Sequence, residues 1–270
     1  MTDVRGDPGE PQAAEDPIVA QAAELATEVT EARRPEDRRR LMTRFAAAAR
    51  ASARASAQAG GRGWRAARRS TARGTDWLVT HVVAMAPRLR VRDQAALRAQ
   101  FPGRSADEIA DALIVGAARA SATVGGGVGV WAALPTLPAY PAEVVAETLV
   151  LVGIELKLIA ELHEAYGSPA PGRFPERMSA YLAAWAHRRG VFMIEGGLIF
   201  AAGSPLARLL RRRLAIRAGR SAFSLGPMLT GAAAGALFNR RETRRLGRDI
   251  QRDLRRREID GPAKQNWWDR

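Results

Sequence analysis

Residues 141–167, PAEVVAETLVLVGIELKLIAELHEAYG, decide the fold predicted for this chain. Pro141 suits the first position of a helix, and Gly167 suits the residue that ends one. Most of the helical wheel between them is apolar. Five charged residues share one narrow stripe, and a sixth, Glu155, lies off it among the apolar residues; the stripe contains Glu143, Glu147, Lys157, Glu161 and Glu164. This pattern predicts a central helix that is nearly surrounded by other helices, with charged ends reaching solvent.

Helices are also predicted on both sides of this segment. Ser105 and Glu108 have the spacing of a capping box, so a helix should run from Ala106 to about Val124, where a glycine run interrupts it. Further helices are predicted over residues 75–100 with a break near Pro87, 175–190, 204–219 and 227–257. No stretch alternates like a strand, so we expect an all-α, compact multi-helix bundle.

Two glycine-containing segments should form close helix contacts. Residues 120–137 and 228–238 carry no charge and are rich in small side chains, which let helix backbones approach closely. In a membrane such segments favour tight helical hairpins. The predicted helix-packing glycines are Gly125, Gly127, Gly129, Gly231 and Gly235.

Charge is distributed unevenly along the chain, whose net charge is +14. Residues 1–32 hold eight acids and one arginine, whereas residues 33–73 hold thirteen arginines and two acids. We therefore predict a disordered arm over residues 1–74, acidic and then Arg-rich, followed by a helical domain over 75–258 and a tail over 259–270 that contains Trp267 and Trp268.

The last helix carries the candidate binding surface for an anionic partner. Anionic lipid headgroups are the leading interpretation, a solvated charged face is the structural alternative, and nucleic acid is the other. Against nucleic acid, the helix has no interleaved aromatics and no recognised binding motif. The candidate residues are Arg240, Arg241, Arg244, Arg245, Arg248 and Arg252.

The sequence offers no recognisable catalytic centre. Cysteine is absent, and the three histidines have no metal-ligand spacing, so we expect no catalytic residue, no metal, no cofactor and no enzymatic activity. Glu155 and Glu195 are candidate buried carboxylates. Each would either pair with an arginine such as Arg119 or Arg188, or form an ion, proton or small-ligand site in an internal pocket.

Three segments resemble the EcsC family. They are the run from Gly125 to Gly129 with the following LPTLP (134–138), the helix end ELHEAYG (161–167), and residues 226–248 with glycines, Asn239, Thr243 and a basic helix. The resemblance covers roughly residues 105–250. It implies an α-helical, membrane-associated protein without an assigned catalytic residue.

These observations predict a non-catalytic accessory or scaffold protein at the cytoplasmic face of a membrane, either peripheral or inserted through hairpins. Its expected partners are anionic lipid headgroups and a membrane protein. The alternative is a soluble, Arg-rich nucleic-acid-binding protein, whose affinity would fall steeply with salt.

Overall fold

The computed structural model describes residues 17–41, 43–44, 47, 80–131, 140–188 and 229–260, and within them every regular element is helical. The all-α prediction is thereby confirmed. Residues 35–41 are helical, and residues 80–85 lead into a short 3-10 turn, Ala86–Arg88. The longer helices are α1 (Pro17–Glu31), α2 (Gln94–Gln100), α3 (Ala106–Trp131), α4 (Tyr140–Ala165), α5 (Phe174–Arg188) and α6 (Leu229–Asp260).

Helix α4 is the centre of the bundle. All five other helices pack on it, and every residue from 147 to 165 is buried. Its aliphatic side chains meet Tyr181 and Trp185 of α5, which are both almost completely buried. Gly167, with φ of 62°, follows the helix end as predicted. Helix α4 is therefore surrounded by other helices, as its wide apolar surface predicts.

Helices α3 and α6 form an antiparallel pair with the most extensive contact in the bundle. A Cβ added at Gly125 would lie 2.8 Å from the Gly235 carbonyl oxygen, and one at Gly235 would lie 2.9 Å from that of Gly125. The prediction that the glycine run ends α3 near Val124 was wrong, because the helix continues to Trp131. The close packing on α6 outweighs the low helix propensity of glycine.

Residues 17–31 correct part of the predicted disordered arm. They form α1, which buries Val19, Ala22, Ala26 and Val29 against the bundle. A Cβ added at Gly153 would lie 2.8 Å from the Ala26 Cβ, so the missing side chain on α4 allows α1 to approach closely. The buried groups are small, which is why the segment resembles a polar tail in composition.

Several predicted boundaries agree with the structure. The Ser105 backbone N–H donates to Glu108 Oε2 at 2.8 Å, and the Glu108 N–H donates to Ser105 Oγ at 3.3 Å, which completes the capping box. The chain breaks at Pro87 and α2 starts anew, with Asp93 as its N-cap. The predictions for Glu195, for residues 191–219 and for Trp267 and Trp268 lie outside the described residues.

The contacts also fix the direction of each helix. Ala26 faces Gly153 and Glu31 pairs with Lys157, so α1 runs parallel to α4. On α6, Thr243 contacts Glu155 and Gly247 packs against Leu158, so later residues of α6 meet later residues of α4. Helix α6 therefore also runs parallel to α4. Helices α1, α4 and α6 therefore begin at one end of the bundle, which is also the end where α3 stops.

Candidate functional site

Helix α6 has one face in the bundle and one face outside it. Leu246, Ile250 and Leu254, which are spaced four residues apart, are each less than 5% exposed. Leu237 is 64% and Phe238 is 39% exposed, and they precede the exposed arginines on the outer side. The four-residue spacing of Leu246, Ile250 and Leu254 places them on one face of the helix, and the exposed arginines lie on the opposite face.

The second half of α6 uses its arginines for contacts within the bundle. Arg248 forms an ion pair with Asp111 of α3, and Arg255 pairs with Asp107 at 3.0 Å. Arg252 pairs with Asp249 one turn earlier on α6. Thus Arg248 and Arg252, which the sequence groups with four other arginines, already have carboxylate partners.

Hydrogen bonding stabilises one of these carboxylates in its charged form. Gln251 Nε2 donates to Asp111 Oδ1 at 2.9 Å, and this bond lowers the pKa of Asp111, with help from Arg248. The charged residues at this end of α6 therefore attach the helix to α3.

The first half of α6 is different. Arg240, Arg241, Arg244 and Arg245 are exposed, and none of them forms an ion pair with another residue that the structure describes. Together with the exposed apolar side chains, they form a surface that we call the α6 cationic patch: Leu237, Phe238, Arg240, Arg241, Arg244 and Arg245.

Among the described residues, no helix has both the length and the apolar character needed to cross a membrane.

The structure describes the contacts of two of the five predicted packing glycines. Gly125 and Gly235 meet at the crossing of α3 and α6. Gly127 and Gly129 lie within α3, and Gly231 lies within α6, but their surroundings fall outside the described residues. Asn239 of the C-terminal signature packs directly against Gly125.

A polar cluster lies inside the bundle around Glu155. Trp185 Nε1 donates to Glu155 Oε2 at 2.7 Å, and Thr243 Oγ1 lies 3.4 Å from Glu155 Oε1. Thr243 Oγ1 also contacts Ser121 Oγ at 2.9 Å. The cluster joins α3, α4, α5 and α6, so Glu155 is buried as predicted but has structural contacts with a tryptophan and a threonine.

The arginines expected to accompany Glu155 lie elsewhere. Arg188 pairs with Asp253 of α6, and Arg119 is exposed. The sequence interpretation missed Ser121 as a partner of Thr243 and Trp185 as a partner of Glu155. Their separations in sequence from Thr243 and Glu155 are 122 and 30 residues, and no local spacing signals such contacts.

Four residues of the charged stripe of α4 are buried, namely Glu147, Lys157, Glu161 and Glu164. This corrects the expectation that its charged ends reach solvent. Lys157 Nζ donates to Glu161 Oε1 at 2.6 Å and to the Arg90 carbonyl oxygen at 2.6 Å, and it pairs with Glu31 of α1 at 3.0 Å. Arg92 forms a two-pronged contact with Glu161, at 2.8 and 2.6 Å.

The charges in this network compensate one another. Burial lowers the pKa of Arg92, but the hydrogen bond and charge of Glu161, together with the charge of Glu31, outweigh burial and raise it above its ordinary value. Two acids and two bases thus form one network, in which Lys157 and Glu161 are buried and Glu31 lies at the exposed edge, and each cation has a carboxylate within reach. The network attaches α1 and the segment before α2 to α4.

His163 belongs to a separate contact at the end of α4. Its Nδ1 lies 3.0 Å from the Ser168 carbonyl oxygen, and its ring centroid is 5.1 Å from that of Tyr181. Burial lowers the pKa of His163 to about 4, and nearby arginines add to the effect. Glu164 is bound to Arg177 instead. Within the described ranges no group of acidic and histidine side chains could hold a metal ion.

No family model, curated protein or solved structure matches this chain.

Proposed function

We propose that this chain is a membrane-associated, non-catalytic accessory or scaffold protein at the cytoplasmic face of a membrane, and that its α6 cationic patch binds anionic lipid headgroups. The observation that carries the proposal is the arrangement of the patch. Four exposed arginines without a carboxylate partner among the described residues adjoin two exposed apolar side chains.

The patch combines the two interactions that hold a helix at a lipid surface. Arginine guanidinium groups form bidentate hydrogen bonds with phosphate oxygens, and each basic residue near an anionic surface contributes roughly 1 kcal/mol. Leu237 and Phe238 supply apolar groups that can enter the boundary beneath the headgroups. The inner face of the same helix is attached to α3, so the patch is presented by a fixed support.

We also propose that the resemblance to the EcsC family reflects kinship. Support comes from the sequence signatures, and two signature residues, Asn239 and Thr243, are buried where α6 meets α3. A membrane-protein partner is also part of this proposal.

Vesicle sedimentation tests the lipid proposal. The full chain should bind vesicles that contain phosphatidylglycerol and should not bind pure phosphatidylcholine at about 0.1 M salt. Replacing Arg240, Arg241, Arg244 and Arg245 with Gln should weaken this binding by roughly two to three orders of magnitude, from about 1 kcal/mol for each arginine.

A matched control separates the patch from net charge. Changing Arg90, Arg98, Arg104 and Arg173 to Gln removes the same charge from exposed sites away from α6. This control should retain most of the vesicle binding. Equal losses in the two variants, or no binding by the unchanged chain, would contradict the proposal. Strong duplex DNA binding without vesicle binding would favour the nucleic-acid alternative.

A further inference from the structure

We propose that the acidic segment of residues 1–16 is an intramolecular competitor that docks on the α6 cationic patch and lowers its affinity for anionic lipid. This inference rests on the proposed function, because it concerns regulation of the same surface. In this proposal the acidic segment occupies the patch in the absence of lipid, and a lipid surface must displace the segment in order to bind.

Charge complementarity is the first argument. The segment has one basic side chain, Arg5, and five acids: Asp3, Asp7, Glu10, Glu15 and Asp16. The patch presents four exposed arginines that form no ion pair with any described residue. A carboxylate binds an arginine fork with the same bidentate geometry as a phosphate, so acidic side chains and lipid phosphates compete for the same donors.

The direction of the helices is the second argument. Ala26 lies beside Gly153, and Thr243 contacts Glu155, so α1 and α6 run in the same direction on α4. With a rise of about 1.5 Å per residue, Pro17 at the start of α1 lies level with the first turns of α6. The acidic segment therefore joins the bundle at the end where the patch lies.

Reach is the third argument. Helices α1 and α6 both pack on α3 and α4, so their separation is of the order of one or two helix diameters, each about 10 Å. Sixteen residues span up to roughly 50 Å when extended. The segment is long enough to reach the patch, and its attachment to α1 keeps its local concentration near the patch in roughly the millimolar range.

Binding of four full-length proteins to phosphatidylglycerol vesicles tests the proposal. They are the unchanged chain, a tail variant with all five acids changed to their amides (D3N, D7N, E10Q, E15Q, D16N), the patch variant with four arginines changed to Gln, and the combination. If the segment covers the patch most of the time, the tail variant should bind vesicles roughly fivefold to tenfold more tightly than the unchanged chain.

The charge control changes five exposed acids elsewhere to amides, namely Glu24, Glu28, Glu36, Asp37 and Glu258. It should tighten binding much less than the tail variant. In the patch-variant background, neutralising the tail should add no more than the control does, because the docking site is gone. An equal gain in that background would overturn the proposal, since the tail would then act elsewhere.

A distance measurement tests docking without lipid. The chain has no cysteine, so spin labels at Gln12→Cys and at the exposed Ala233→Cys report the separation of the segment and α6. A short-distance population should disappear in the tail variant and at about 1 M salt. A distribution that does not change overturns the inference, whereas absence of vesicle binding in every variant contradicts the proposed function instead.

Discussion

On α4, Lys157, Glu161 and Glu164 lie inside the bundle, whereas on the first half of α6 the arginines of the cationic patch lie outside it. The buried groups have short contacts with opposite charges. The patch arginines have no such contacts with other described residues. The two helices both carry charged residues and use them for different purposes.

The difference follows from the energy of charges in different surroundings. A charge removed from water is tolerated only with a closely placed partner, so the charges of α4 hold helices together. An exposed guanidinium is already hydrated and contributes little to the fold. The arginines of the patch are therefore available to an external anion, and their substitution should affect binding rather than stability.

The largest effect should come from breaking the interior network. Changing Glu161 to Gln leaves Lys157 and Arg92 with only Glu31 as a nearby carboxylate in this network. We expect the free energy of unfolding to fall by about 3–5 kcal/mol, the usual cost of removing one partner from a buried ion pair. Urea unfolding followed by circular dichroism measures this change.

A second substitution shows whether charge is the cause. The double variant with Glu161→Gln and Lys157→Met restores charge balance, so it should be more stable than Glu161→Gln alone. If the single change costs less than about 1 kcal/mol, the network is not the buried, paired site described above.

A pH effect of intermediate size should come from His163. Its pKa lies at about 4 in the folded chain, below the ordinary value of 6.5, because burial and arginines keep the ring neutral. Between these two values the unfolded state binds more protons, so stability falls as the pH falls from about 6.5 to about 4, by up to roughly 3 kcal/mol. Unfolding midpoints measured at a series of pH values report the loss.

His163→Asn is the matched variant for this effect. The Asn amide can still donate to the Ser168 carbonyl oxygen but does not titrate. Its stability should depend less on pH over this window than that of the unchanged chain, whatever its stability at neutral pH. Identical pH slopes for the two proteins would show that another group causes the loss.

The smallest effects should separate the two halves of α6. Arg248→Gln loses an exposed ion pair with Asp111, which should cost about 0–1 kcal/mol. Arg241→Gln should leave stability unchanged within about 0.5 kcal/mol, yet weaken vesicle binding more than Arg248→Gln does. Thermal unfolding and vesicle sedimentation of the two variants check this order, and a reversed order of binding losses would contradict the division of α6.

Local sequence signals predicted much of the fold. The capping box at Ser105, the helix stop at Gly167 and the break at Pro87 depend on neighbours within a few residues, and each appears where the sequence places it. Such features are readable because their energies arise within one or two helical turns.

Contacts between distant segments were not readable in this way. In sequence, the Ala-rich α1 resembles a solvated tail. Its burial depends on close packing of Ala26 against Gly153 of α4, which no local pattern indicates. The continuation of α3 through Gly125 depends on α6, more than 100 residues later. Glu155 meets Trp185 of α5 and Thr243 of α6, and Thr243 in turn contacts Ser121 of α3.

The sequence by itself determined an all-helical chain, the central position of α4 and the basic character of α6, because hydrophobic periodicity and composition act locally. Tertiary structure alone decided which charges are paired. Arg248 lies beside Asp111 and Lys157 lies beside Glu31 because helix packing brings them together. The free energy of a charge depends on what surrounds it, and that surrounding is created by the packed bundle.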